Sequence, residues 1–155
     1  MIRPLDHTKD AEVCDSVLAT LPYHFGDPTG QADCAKAVRS ERGWVAVDGD
    51  DVVGFLTVAP SSDEALEITW MAVRMDRRRS GIGAQLMGAV TEAAAEDGFR
   101  QLVVLTLGTS EPEDAEDSYE GTRRFYKREG FVPLKEVGLR SWTNGFALLL
   151  ARPIS

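Results

Sequence analysis

The stretch "EITWMAVRMDRRRSGIGAQLMGAV", residues 67–90, passes from a strand-like run through an arginine cluster into Ser-Gly-Ile-Gly and an apolar helix. No other feature restricts the fold as strongly. Glycines that follow a strand and open a helix let main-chain amides approach a ligand closely. With the positive end of the helix dipole behind them, such amides suit a phosphate. The turn is therefore expected to hold a phosphorylated cofactor.

Two better-known phosphate loops do not fit. A Walker loop requires Gly-Lys-Ser/Thr, and no lysine follows Gly83. A dinucleotide fingerprint requires a third glycine where Leu86 stands, and an acid after the next strand, where "VVLTL" ends in Thr106 and Leu107.

The flanking pattern alternates strands and helices, with no repeat, linker or low-complexity segment. Residues 2–5 read as a short strand, and Cys14, Val17, Leu18 and Leu21 keep helical spacing up to Pro22. A second helix is expected over 31–40. "WVAVDGDDVVGFLTVAP" reads as a hairpin around Asp-Gly-Asp, followed by a third strand over 65–73. Ile82, Leu86, Ala89, Val90 and Ala93 form the expected buried stripe of the helix after the glycines. "RQLVVLTL" is apolar throughout and reads as a central strand covered on both faces. A helix over 122–129, "GFVPLKEV" and "GFALLLA" complete a mixed sheet flanked by helices, an α/β or α+β chain.

A chain of 155 residues, 43% hydrophobic, suits one domain spanning 1–155. The charged start "MIRPLDHTKD" is unlike a signal peptide, and no apolar run reaches the ~18 residues of a membrane span, so a cytoplasmic protein without membrane partners is expected. Cys14 and Cys34 are then expected as buried thiols. His7 and His24 belong to no zinc-like spacing, so no metal is expected. A net charge of −8 argues against nucleic acid. Six acids and no base fall within residues 111–120, either a solvated loop or a rim that attracts a cationic substrate.

"MAVRMDRRRSGIGAQL" resembles the acyl-CoA loop of the GCN5-related N-acetyltransferase (GNAT) superfamily, Gln/Arg-x-x-Gly-x-Gly/Ala, here residues 78–83. "RRFYKREGF" is similar to the superfamily's later Phe/Leu-Tyr-x-x-x-Gly-Phe segment, and "IRPLDHTKDAE" to its first strand and helix. Tyr119 and Thr122 replace the Asn and Ala of many relatives, and the segment around them resembles an uncharacterised subgroup. The resemblance implies a mostly antiparallel seven-stranded sheet flanked by about four helices. It implies acetyl-CoA as co-substrate, with Arg78, Arg79, Ser80, Gly81, Ile82, Gly83 and Ala84 on the pyrophosphate. It also implies that the edge at Met71, Ala72 and Val73 pairs with the pantetheine arm, where this strand and the next splay apart.

Acetyl transfer to an amine needs a base, because an ammonium of pKa about 10.4 cannot attack. It also benefits from an acid for the thiolate. Glu67 stands where several relatives carry a glutamate base; otherwise it is a solvent-facing polar residue. Tyr126 matches the tyrosine beside the coenzyme A sulfur; otherwise it is a core aromatic. The Val73 N–H resembles the oxyanion donor. Tyr23, His24, Phe25 and Trp142 either line an acceptor pocket or pack their own loops. The acidic segment and the net charge of −8 point to a small cationic amine or basic peptide as acceptor, and a monomer or homodimer is expected. A noncatalytic acyl-CoA-binding regulatory module is the alternative.

Overall fold

The β-rich runs on either side of Asp-Gly-Asp do close as a hairpin, with Gly49 supplying the positive φ of 63° that the turn requires. In the computed structural model, residues 1–20, 28–77, 80–107, 120–138 and 146–154 are described. The strands are β1 (Ile2–Pro4), β2 (Arg42–Asp48), β3 (Asp51–Pro60), β4 (Ala65–Val73), β5 (Gln101–Leu107), β6 (Val132–Gly138) and β7 (Phe146–Pro153). The helices are α1 (Ala11–Ala19), α2 (Pro28–Ser40), α3 (Ile82–Glu96) and α4 (Glu120–Arg128), with a 3-10 turn at Met75–Arg77. One seven-stranded sheet runs β1-β2-β3-β4-β5-β7-β6. Among the described strands, only the β4–β5 pair is parallel. This is the mostly antiparallel mixed sheet that the sequence implied.

The two faces bury separate clusters. Leu86, Met87, Val90 and Ala94 of α3 pack on Leu66, Ile68, Leu102 and Val104, with Tyr126 and Phe131 in the same cluster. Cys14, Val17 and Leu18 of α1 and Cys34 and Val38 of α2 cover Val45, Phe55 and Ala72 on the other face. Both cysteines are free and buried. Each fully buried Leu or Val contributes roughly 1.5–3 kcal/mol. Arg3 clasps the buried Asp10 at 2.7 and 2.9 Å, which ties β1 to the start of α1 and holds the Asp10 carboxyl below its ordinary pKa.

Three sequence expectations need correction. The α2 helix starts at Pro28, three residues earlier than expected, because proline is well accommodated in a first helical turn where its missing N–H costs nothing. The α3 stripe is rotated: Met87 and Ala94 are buried, whereas Ile82, Ala89 and Ala93 only flank the cluster. The β5 strand is central but not covered on both faces. Leu102 and Val104 are buried against α3, while Val103 and Leu105 are only partly buried, because among the described residues α1 and α2 lie over β3 and β4 instead.

At the far end of the sheet, Arg152 of β7 donates to the Glu129 carbonyl at 2.8 Å and to the Thr91 hydroxyl, and its guanidinium lies 5.4 Å from the Phe131 ring centre. It joins α3, the turn after α4 and β7.

Two glycines should respond oppositely to alanine. A Cβ at Gly43 would lie 2.4 Å from the Leu56 carbonyl oxygen, whereas one at Gly88, on the exposed side of α3, meets nothing within 4 Å. Gly43→Ala is expected to cost about 2 kcal/mol or more, a Tm loss of roughly 4–8 °C. Gly88→Ala should gain up to about 1 kcal/mol. Thermal melts of both variants check this.

Candidate functional site

The β4 and β5 strands pair over only four steps, from Ala65↔Gln101 to Ile68↔Val104, and then part. β4 keeps its other neighbour as far as Val73↔Gly54, and β5 keeps β7 as far as Leu107↔Ala147. The result is a gap walled by two firmly held strands. The Arg74 N–H donates to the Val53 carbonyl at 2.8 Å, so these two form a hydrogen-bonded pair in the β3–β4 register. Such pairs alternate with non-hydrogen-bonded ones along an antiparallel ladder. Met71 and Val73 therefore turn their N–H and C=O groups away from β3, onto the edge facing the gap. The Ala72 backbone faces β3 instead, and its side chain is buried against the α1/α2 face.

The glycine turn lies beside this edge. Gly81 caps α3 with φ of 85°, a left-handed conformation that disfavours other residues, and no side chain caps the helix. The first intrahelical bond runs from the Gln85 N–H to the Gly81 carbonyl, so the amides of Ile82, Gly83 and Ala84 have no partner within the helix. Gly83 is closely approached as well: a Cβ there would come within 3.1 Å of both Met71 Cε and Phe125 Cε1. Ser80 closes the loop by donating its hydroxyl proton to the Arg77 carbonyl. Of the arginines in the cluster, Arg74 is bound to Asp76 and Arg77 to Asp48. Arg78 and Arg79 lie outside the described residues, as do Tyr23, His24, Phe25, Trp142 and the acidic segment 111–119.

Glu67 and Tyr126 occupy opposite faces of the sheet. Leu66 and Ile68 point to α3, so Glu67 between them points to the α1/α2 side, where it is half-buried and accepts a 3.3 Å bond from Ser61. Burial raises its pKa above the ordinary carboxylate value; the Ser61 bond works against this and the charge of Glu41 adds to it. Tyr126 is buried on the α3 side with its ring edge-on to Phe125 and Phe131 at 5.3 and 5.4 Å. Burial pushes its phenol pKa far up, so the hydroxyl keeps its proton throughout the physiological range. Sequence reasoning missed Thr69 and Glu41, whose side chains meet at 2.6 Å beside Glu67. The available signal was a second polar residue, two positions after Glu67, in an otherwise apolar strand.

No described helix is long and apolar enough to cross a membrane. No described cluster of three or more His, Cys, Asp or Glu could hold a metal ion.

The family model of the acetyltransferase (GNAT) domain matches residues 39–133, more than half of the chain. The chain belongs to that family. Human N-acetyltransferase 8 is 33% identical over 89 residues, 52% of this chain and 39% of that protein. The chain spans between 32 and 39% of the length of the curated relatives it matches. A GNAT-family acetyltransferase structure from Desulfovibrio desulfuricans superposes with a TM-score of 0.83 at 21% identity, covering 100% of this chain and 99% of that one. An aminoglycoside 6'-N-acetyltransferase complexed with coenzyme A gives 0.76 at 18% identity, covering 100% and 97%. These superpositions establish the shared fold.

A ligand that fills the gap and caps α3 should stabilise the fold. Acetyl-CoA at a hundredfold excess over its Kd is expected to add roughly 2.7 kcal/mol. Gly81→Trp or Gly83→Trp should abolish that gain, as read by the ligand-dependent shift in Tm of each variant against its own unliganded form.

Proposed function

We propose that the chain is an acetyl-CoA-dependent N-acetyltransferase that moves an acetyl group to a primary amine of a small cationic molecule or basic peptide by direct attack on the thioester. The observation that carries this reading is the gap between β4 and β5, which opens beside the uncapped start of α3. A pyrophosphate fits the amides of Ile82, Gly83 and Ala84. The amide-rich pantetheine arm fits the outward-facing groups of Met71 and Val73 as an added strand would. Acetyl-CoA supplies an activated acyl group when bound.

The chain's own residues divide the proton work. Glu67 and Tyr126 lie on opposite faces of the sheet, and in this reading each serves the acetyl group from its own side. Ionised Glu67 takes a proton from the incoming ammonium, directly or through water. The Met71 and Val73 amides offer donors for charge that develops on the carbonyl oxygen. Tyr126 holds a proton for the departing sulfur because burial keeps its phenol neutral. The negative balance of the chain favours a cationic acceptor. The buried free thiols suit a reducing compartment such as the cytoplasm.

An amine screen read by thiol release tests the activity against a module that binds acyl-CoA without turnover. Within it, Tyr126→Phe should lower kcat by about a hundredfold with little change in acetyl-CoA affinity. The rate should rise with pH as Glu67 loses its proton, with this limb lying above the ordinary carboxylate value because burial raises its pKa. Glu67→Gln should remove that limb and leave only the rise that follows deprotonation of the amine itself. An unchanged pH–rate profile would assign the base to another group.

A further inference from the structure

Three polar side chains from distant parts of the chain meet on the α1/α2 face of the sheet. Thr69 Oγ1 donates to Glu41 Oε1 at 2.6 Å, and lies 2.8 Å from Thr57 Oγ1. A hydroxyl carries one proton. Thr69 gives its proton to the carboxylate, so Thr57 is the donor in the second bond. The chain of donors thus starts at Thr57, which is 0% exposed, and ends on the half-buried Glu41 at the junction of α2 and β2.

Thr69 is also the extra residue of a β-bulge, since Thr57 pairs with Trp70 while Val58 pairs with Ile68. A bulge bends a strand and re-aims the side chains beyond it. Here Leu66 and Ile68 face α3 before the bulge, and Met71 and Val73 face α3 after it, while Trp70 and Ala72 join the α1/α2 cluster. The backbone groups at the gap are set by this one inserted residue, and its side chain is bonded on both sides.

We propose that Glu41 is a positioning residue of the acetyl-transfer site: through the Thr69 hydroxyl it fixes the β4 bulge, and with it the Met71 and Val73 amides and the place of Glu67. This deepens the acetyltransferase reading and rests on it. Among the described residues, the polar groups that act on Glu67 are Ser61 from the β3–β4 connection and Glu41 from the end of α2. Its strand neighbours, Ala59 of β3 and Val103 of β5, carry no charge. His7 bonds the Glu41 backbone carbonyl rather than its carboxylate.

Calorimetric titration with acetyl-CoA and an NMR titration of the Glu67 carboxyl carbon test the proposal. Thr69→Val should weaken acetyl-CoA binding about tenfold, and Thr69→Ser should restore it to within about twofold. Glu41→Gln keeps an oxygen to accept the Thr69 bond, so acetyl-CoA affinity should hold within about threefold while the Glu67 midpoint moves to lower pH. Should Thr69→Val fail to fold, Glu41→Met reports the same bond and should also bind about tenfold more weakly. Wild-type affinity in Thr69→Val or Glu41→Met overturns the proposal, as does a Glu67 midpoint unmoved in Glu41→Gln. A wild-type chain that takes up no acetyl-CoA overturns the acetyltransferase reading itself.

Discussion

The interruption of one parallel ladder governs the rest of this structure. β4 and β5 share four paired steps and then separate, while each remains bonded to its outer neighbour. A buried amide without a partner costs about 1–3 kcal/mol. Groups left at such an edge are therefore disposed to bind whatever can complete the ladder. A ligand with its own amides does this better than water, because it satisfies several groups for one loss of translational freedom. The helix start proposed to receive the phosphates is joined to that edge by the short loop between β4 and α3, so strand edge and helix dipole can address one extended molecule.

The bulge in β4 gives the gap its handedness. Were Thr69 paired in regular alternation instead of bulged, the side chains of Met71 and Val73 would exchange faces with those of Trp70 and Ala72. Met71 would then leave its contact position beside Gly83. The absence of a side chain at Gly83 and the presence of a long one at Met71 are two halves of the same packing requirement.

Much of this was legible in the sequence because it is local. The β4 strand was read with its true ends, Ala65–Val73, and the element order followed from hydrophobic period and turn residues. The glycine turn was readable because a left-handed φ and a close helix–strand approach both demand glycine. Coverage of β5 was misread, since an apolar strand looks the same whether helices lie on one face or two. The bulge left no local mark, and the meeting of Glu41, Thr57 and Thr69 depends on register between segments far apart in the chain. The proposed roles of Glu67 and Tyr126 rest on motif position; their placement on opposite faces came only from packing.

The strand order has a consequence for how the molecule is assembled. β7 lies between β5 and β6, so β6 has no sheet to join until β7 is seated. Arg152, carried by β7, also bonds the carbonyl of Glu129 and covers the Phe131 ring, which packs against Tyr126. The residue nominated as the proton donor is thus braced by an element that arrives after it in the chain. A chain in which β1 to β5 have already condensed would possess the glycine turn and both strands that wall the gap, yet lack the packing around Tyr126. In the proposed reading, the turn that meets the cofactor and the packing that holds the acid are completed by different parts of the chain.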